Sequence, residues 1–454
     1  MKRGVWLVIA ALVVVAAGVT LVALPRGPEW TTTSPEALRE YQAAVEAQQK
    51  LYNSEAAEHI TKAYEADPNF LVAKLDYANV LGRTDKERAD ELRQEVFDAD
   101  LSKVTPREQF FIEYAKAYRE KRPEDAAALL DDYFARYPDD PYILYRKATW
   151  TWSRGDLEEA ERLYQKLIEI RPNWVISYNQ LGYIAMMQGR FAEAEEYFKS
   201  YRFIAPDQAN PHDSLGELFI TLGRYDEAEE SLEKAIEIKP DFWHSYEHLA
   251  LEKACSGDQA GMREEVERAK AAGMPEEWLT RVECFADYEE MAGREAWQEI
   301  LDHADSDCVK NVNNEYPSVI THLAASRLGD WETTQEIEER IAEVLEKYRE
   351  SGAEKDTMLL EGTLNHMKGV RLALQGDLAG AEERLRAADM GLTYMAAGSA
   401  WFKLYNRMFL SETLLAEGED AEAHQLLSQV RSVNPMIVAE FEDSGFNFLG
   451  LKRS

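Results

Sequence analysis

Residues 179–207 read NQLGYIAMMQGRFAEAEEYFKSYRFIAPD, and residues 213–241 read DSLGELFITLGRYDEAEESLEKAIEIKPD. The two segments place glycine, alanine and proline at matching positions, 34 residues apart. The series extends beyond them as Gly155, Gly189, Gly223 and Gly257, as Ala126, Ala160, Ala194 and Ala228, and as Pro138, Pro172, Pro206 and Pro240. Because three residue types share one period, the pattern indicates an internal structural repeat and not a compositional bias.

Each residue type in this series suits a pair of antiparallel helices. A glycine that follows an apolar helical stretch adopts the left-handed C-cap conformation without a steric penalty. The alanines, together with Gly182 and Gly216, let two helices approach closely, and the proline ends the second helix. The large residues expected between the helices lie four positions after the alanines and are Tyr164, Phe198 and Leu232. One pair cannot bury its apolar face alone, so we expect successive pairs to stack into a solenoid.

The period and the residues that define it resemble the tetratricopeptide repeat. The resemblance implies an all-α fold, a right-handed superhelical solenoid of antiparallel helix pairs. We expect roughly ten or eleven pairs over residues 34–435, with the best repeats at 141–257 and degenerate repeats at 258–360. Residues 436–454 are expected to form a capping helix and a tail, which would cover the last apolar face.

The composition excludes several classes of function. The chain has 454 residues and a formal net charge of −33, whereas nucleic-acid binding needs clustered lysine and arginine. The sequence contains no P-loop, no nucleophile elbow and no C-x-x-C pair. We therefore predict a protein that is not an enzyme, holds no cofactor and binds no nucleic acid.

Three cysteines, Cys255, Cys284 and Cys308, are too few for a disulfide scaffold. A disulfide between two of them would have to join separate helices with tight geometry. Buried free thiols are therefore the favoured interpretation, and one disulfide in an oxidising compartment is the alternative.

The N-terminus carries a separate signal. Residues 5–24 form an uncharged apolar run of the length that a helix needs to cross a bilayer. A basic pair precedes the run, so the positive-inside rule places residues 1–4 in the cytoplasm, and residues 25–33 would be a linker. These features predict a single-pass signal anchor in a bacterial inner membrane, with a periplasmic C-terminal domain. The alternative is a signal peptide cleaved at the small residues 16–18, which would give a secreted protein.

In tetratricopeptide repeats the first helix of each pair lines a concave groove that holds peptides or partner helices. The 34-residue frame predicts that these groove positions are Tyr142, Tyr145, Arg146 and Trp152, then Asn179, Gln180, Tyr183 and Met186, then Asp213, Ser214, Glu217 and Ile220, and finally His244, Glu247 and His248. The set is aromatic at one end and acidic in the middle, so we expect a protein or peptide partner with apolar and basic character. The alternative interpretation is that many of these residues are ordinary solvated or packing positions.

One motif among these residues matches a known zinc-binding pattern. His244-Ser-Tyr-Glu-His248 matches the H-x-x-E-H pattern of inverted zinc proteases. The two histidines would share one face of a helix, but the sequence identifies no third ligand. Zinc binding by His244, Glu247 and His248 is therefore a weak alternative, and we predict no metal site.

Two readings of function follow from these patterns. The first is a membrane-anchored scaffold that binds protein or peptide partners in its groove on the extracytoplasmic side. The alternative is an extracytoplasmic sensor or regulatory subunit of a signalling system, because residues 36–70 are similar to repeat regions of membrane-anchored bacterial regulators. Only residues 1–4 precede the apolar run, so a sensing role would need a separate membrane partner.

Overall fold

The computed structural model describes residues 30–310, 315–351, 353–393 and 397–443, together with Leu449. The predicted membrane segment 5–24 lies outside these residues. No helix within the described part of the chain combines the length and the apolar character that a bilayer crossing needs. These residues form helices and connecting turns and contain no strand, which confirms the predicted all-α class. The chain divides into two compact units, one ending at Arg136 and the other beginning at Tyr137.

Between residues 30 and 136, the described part of the first unit, the chain forms three helix pairs and a single 3₁₀ turn, Leu101–Lys103. Its helices are α1 (Pro35–Gln49), α2 (Asn53–Ala66), α3 (Leu71–Leu81), α4 (Lys86–Phe97), α5 (Pro106–Arg119) and α6 (Pro123–Arg136). Helix α1 begins at Pro35 because the Ser34 side chain accepts a hydrogen bond from the backbone N–H of Ala37. Trp30, within the predicted linker, is buried against Tyr41 and Phe70, so the end of that segment packs onto this unit.

The second unit opens with four regular helix pairs. They are α7 (Pro141–Ser153) with α8 (Leu157–Ile170), α9 (Ile176–Met187) with α10 (Phe191–Ile204), α11 (Ala209–Thr221) with α12 (Tyr225–Ile238), and α13 (Trp243–Cys255) with α14 (Gln259–Ala271). The first helix of each pair is followed by the predicted glycine, and Gly155, Gly189, Gly223 and Gly257 have φ values of 79°, 72°, 68° and 79°. Their left-handed conformation confirms that the glycine period marks the turn within each pair.

The two helices of a pair lie in close contact where the sequence has its second glycine series. A methyl group at Gly182 would overlap the Phe198 ring, and one at Gly216 would overlap the Leu232 side chain. Phe198 and Leu232 are completely buried, so neither has room to move aside. Glycine is therefore required at these crossings, as the spacing predicts.

The pattern changes after α14. The following helices are α15 (Glu276–Gly293), α16 (Trp297–Asp302), α17 (Asp307–Lys310), α18 (Glu315–Leu328), α19 (Trp331–Ser351), α20 (Glu354–Gln375), α21 (Leu378–Gly391), α22 (Ala397–Glu417), α23 (Asp420–Val433) and α24 (Pro435–Asp443). Four of them have 18 to 22 residues, whereas those of the regular pairs have 12 to 14. Helix α24 occupies the position of the predicted capping helix and begins one residue earlier.

The preference for free thiols is wrong for two of the three cysteines. Cys284 on α15 and Cys308 on α17 form a disulfide, with their Cα atoms 5.7 Å apart. After the short helix α16 the chain returns to α15, where the Tyr288 hydroxyl donates a hydrogen bond to the backbone oxygen of His303 at 3.1 Å. This return places Cys308 beside α15, within reach of Cys284. Cys255 is not disulfide-bonded.

The C-terminal helices of this unit cover its regular repeats. Helix α22 packs against α11, and all thirteen residues of α11 are buried. Phe191 at the start of α10 joins a cluster of side chains from α22, α23 and α24. The buried amide of Asn434, which precedes α24, lies 3.4 Å from the backbone oxygen of Ile220 at the end of α11. The central repeats therefore have protein on sides that an isolated stack would expose to water.

Candidate functional site

The predicted groove residues lie on the first helices of the four regular pairs, α7, α9, α11 and α13. We call the face that they form the inner face. All eleven residues of the proposed binding set are described, and none of them is exposed. The buried ones are Trp152, Asn179, Asp213 and Glu217, and His248 is nearly buried, with 14% of its side chain exposed. The half-buried ones are Tyr142, Tyr145, Arg146, Tyr183, His244 and Glu247.

The aromatic end of the inner face consists of rings that pack on one another. Tyr142 contacts the Trp174 ring edge-on at 5.1 Å, and Tyr145 contacts the same ring at 6.3 Å. Trp152 donates a hydrogen bond to the Met187 sulfur at 3.4 Å. The Lys355 ammonium group, at the start of α20, lies 4.9 Å from the centre of the Trp152 ring. The indole of Trp152 is thus covered by a cation from within this unit.

The middle of the inner face holds a buried triad of ionisable side chains, Asp213, Glu217 and His248. The Nδ1–H group of His248 donates to Asp213 Oδ1 at 3.0 Å, and Nε2 lies 3.3 Å from Glu217 Oε1. Ser245 donates to Asp213 Oδ1 at 2.7 Å, and Tyr183 donates to Glu217. Both carboxylates thus have hydrogen-bond donors from α13 or α9, which offsets the free-energy cost of burying them.

Charge within the triad shifts its pKa values in opposite directions. Burial alone would lower the pKa of His248, but the negative charges of Asp213 and Glu217 raise it to about 10. Burial works to raise the pKa of Asp213, yet the positive charge and hydrogen bond of His248 bring it below its usual value. The pKa of Tyr183 is well above its ordinary value because of burial and the charges of Glu217 and Asp213. At neutral pH the triad is therefore a buried imidazolium ion between two carboxylates.

The H-x-x-E-H motif does not gather around one point. His244 packs edge-on against Trp278 at 4.7 Å, and burial lowers the pKa of its imidazole. Glu247 forms an ion pair with Arg281. Of the three motif residues, His248 belongs to the described group that could hold a metal ion, with Asp213 and Glu217, whose ligand atoms lie within 4.8 Å of one another.

Asp213 and Glu217 lie on α11 and His248 lies on α13, so the sequence pattern of one helix does not reveal this group. The repeat period could have indicated it. Asp213 and His248 are 35 residues apart, which is one period plus one residue. Since the first helices of successive pairs stack side by side, residues one period apart face each other across the stack. The same spacing separates Asn179 from Ser214, whose hydroxyl donates to the Asn179 amide oxygen at 2.7 Å.

Two family models described as tetratricopeptide repeat match the chain, one over residues 117–182 and the other over residues 175–241. Among solved structures, a tetratricopeptide repeat protein from Parabacteroides merdae is 16% identical, with 63% of this chain and 98% of that chain covered and a TM-score of 0.35. MamA from Desulfovibrio magneticus RS-1 is 19% identical, with 36% and 92% covered and a TM-score of 0.31. PilF from Pseudomonas aeruginosa is 14% identical, with 54% and 96% covered and a TM-score of 0.31. No curated protein matches the chain.

Proposed function

We propose that this tetratricopeptide-repeat protein is a scaffold and that it holds protein partners on its inner face. Tetratricopeptide repeats bind protein partners generally, and their stacked first helices supply an extended surface for doing so. The observation that carries the proposal is the row of half-buried aromatic and charged side chains at the two ends of this face. They are Tyr142, Tyr145 and Arg146 on α7, and His244 and Glu247 on α13.

The chemistry of the inner face favours a peptide with apolar and basic side chains. Half-buried tyrosines offer a flat apolar surface, and aromatic residues of this kind are common anchors of protein interfaces. Glu247 retains 31% exposure of its side chain beside Arg281 and offers a carboxylate to a basic residue. In this proposal the buried Asp213, Glu217 and His248 fix the position of α13 against α11, and the partner contacts the ends of the row.

We also propose that the repeats lie on the extracytoplasmic side of a bacterial inner membrane, anchored through residues 5–24. The apolar run and the basic pair before it support this location. The disulfide between Cys284 and Cys308 also supports it, because disulfides persist in oxidising compartments and are rare in the cytosol. The alternative is cleavage near residues 16–18 and release as a secreted protein.

The location is tested by fractionation of cells that produce the full chain. We expect the protein in the membrane pellet after carbonate extraction, and we expect protease added to spheroplasts to degrade it. Recovery as a shortened protein in the soluble periplasmic or culture fraction would establish cleavage. Protection from protease in intact spheroplasts would overturn the extracytoplasmic location.

The binding proposal is tested by crosslinking in membranes, followed by purification of the full chain and identification of the crosslinked proteins. Tyr142→Ala combined with Glu247→Lys should remove at least nine-tenths of the recovered partner. Glu169→Lys makes the same charge change at an exposed position on α8 and should leave recovery unchanged. Equal recovery with the wild type and the double variant, both folded by circular dichroism, would overturn the inner-face assignment.

Metal binding is the second candidate function, favoured by the arrangement of Asp213, Glu217 and His248. Carboxylate oxygens and imidazole nitrogens are ordinary zinc ligands. Against zinc, each ring nitrogen of His248 faces a carboxylate, so an imidazolium ion with a proton on both nitrogens already offsets part of their negative charge. Elemental analysis of the purified chain decides between a bound zinc ion and a protonated His248. Stoichiometric zinc that is lost in Asp213→Asn would establish the metal site, and a chain without zinc would rule it out.

A further inference from the structure

A second surface of the regular repeats lies at the C-terminal end of α10. It is an open pocket of about 960 Å³, lined by Tyr178, Lys199, Ser200, Arg202, Phe203, Ile204, Pro206 and His212. Phe203 beside it is 86% exposed, the largest exposed fraction among the large apolar side chains described. An exposed aromatic ring next to a pocket is a common feature of sites where another molecule docks. We call this surface the Phe203 pocket.

Comparison with the neighbouring repeats indicates that the repeat pattern does not call for an apolar residue at Phe203. The positions one period before and after it are Glu169 and Glu237, which are charged as expected for an exposed helix position. The residue before it is Arg202, whereas the equivalent positions carry Ile168 and Ile236. In this repeat alone among the three, the apolar residue faces water and the charged residue takes the more buried position.

The Phe203 pocket is also unusual in its charge. The chain has 84 acidic residues, yet no carboxylate is found among the described residues that line the pocket. Lys199 pairs with Glu195 at 2.9 Å, while Arg202 forms no ion pair with any described residue. Burial, followed by the positive charges of Arg202 and Lys234, lowers the pKa of His212. The pocket is therefore a local positive region on a strongly negative protein.

We propose that the Phe203 pocket docks an acidic peptide segment that carries an aliphatic or aromatic side chain and belongs to a protein partner. Its apolar side chain would lie between Phe203, Tyr178 and Ile204, and its carboxylates would pair with Arg202 and Lys199. Aromatic and arginine side chains dominate the binding energy of protein interfaces, and arginine binds carboxylates with two hydrogen bonds. This surface is separate from the inner face, and the charge that it selects is the opposite one.

The test uses a fluorescein-labelled probe peptide of glutamates and aspartates around a central Leu-Trp pair, with binding to the full chain measured by fluorescence anisotropy. Phe203→Glu introduces the residue of the neighbouring repeats and should weaken binding at least tenfold. Arg202→Gln should weaken it about threefold to tenfold and reduce its dependence on salt. Glu237→Gln, at the equivalent position of the next repeat, should leave binding unchanged.

Several results would overturn the proposal. They are absence of binding up to millimolar protein, equal binding of a lysine-substituted probe, or unchanged binding by Phe203→Glu. A dimer that Phe203→Glu converts to a monomer in light scattering would show that a second copy covers the pocket. Co-sedimentation with anionic vesicles that Phe203→Glu abolishes would show that a lipid surface covers it. The variant Tyr142→Ala with Glu247→Lys should bind the acidic probe normally, so failure of either surface can be recognised without the other.

Discussion

The four regular pairs, α7 to α14, and the segment that follows them, α15 to α19, hold their helices together by different means. In the regular pairs every helix has 12 to 14 residues, and glycines such as Gly182 and Gly216 bring the partners into contact. In the following segment the helices vary from 4 to 21 residues, and a disulfide joins α15 to α17. A constant period lets one local contact recur in each pair. Where the period is lost, a covalent bond joins two helices that the repeat no longer aligns.

The buried histidines of the two regions also differ, in the charged groups that surround each imidazole. His248 in the regular region lies between two carboxylates and is positively charged at neutral pH. His322 on α18 shares the single carboxylate of Glu338 with Arg371, and burial lowers its pKa. The ratio of acidic to basic groups around each imidazole therefore decides whether burial leaves it charged or neutral.

The largest expected effect is loss of the charged histidine of the regular region. His248→Leu leaves two buried carboxylates without their cation, so we expect the free energy of unfolding at pH 7 to fall by about 3–5 kcal/mol. Urea denaturation followed by circular dichroism measures the change. The matched control, His244→Leu on the same helix, replaces a ring that packs on Trp278 and should lose about 1 kcal/mol. Equal losses in the two variants would show that the triad does not contribute specifically to the free energy of unfolding.

The disulfide should contribute somewhat less. Cys308→Ser opens a loop with a sequence separation of 24 residues, and we expect a loss of about 3 kcal/mol. Hydrogen exchange should become faster in α15 to α17 while α7 to α14 stay protected. Cys255→Ser, which breaks no disulfide, is the control. Uniformly faster exchange over both regions would show that the crosslink acts on the whole unit and would weaken the comparison.

A methyl group at a helix crossing should have the next largest effect. Gly182→Ala places a methyl group against the buried Phe198 ring, so we expect about 2 kcal/mol of destabilisation in urea. Gly398→Ala is the same chemical change on α22, at a glycine with no described neighbour within 4 Å of the added carbon. It should cause no loss, because alanine favours a helix more than glycine does. Stability unchanged in both variants would show that the pairs tolerate a wider spacing.

The pH dependence separates the two histidines. The pKa of His248 is about 10 in the folded chain and about 6.5 in the unfolded chain, so its stabilisation is complete below pH 6.5 and disappears as pH rises through 10. We expect the free energy of unfolding to fall by about 1.4 kcal/mol per pH unit between pH 7 and 9, and His248→Leu should abolish that slope. His322, whose pKa is lowered, should instead reduce stability as the pH falls below 6.5, because the unfolded chain then binds the proton more readily.

The sequence was most informative about contacts within one period. Gly155 and Gly182 act on residues of their own helix pair, so spacing alone could indicate their roles. The same reasoning could have paired Asp213 with His248 across the stack. The packing of α22 on α11 could not be predicted, because it joins distant segments that no period relates. The Cys284–Cys308 pair was missed because it depends on where the short helices α16 and α17 turn back.

The complete burial of α11 has a consequence for the order in which the protein matures. Chains leave the ribosome from the N-terminus, so α11 emerges long before α22, the helix that packs on it. A nascent chain that has reached only α14 can stack its repeats but keeps α11 open to water on the side that α22 later covers. The central helix thus acquires its final surroundings only when synthesis is nearly finished, and a chain shortened before α22 would present a surface that the mature protein never shows.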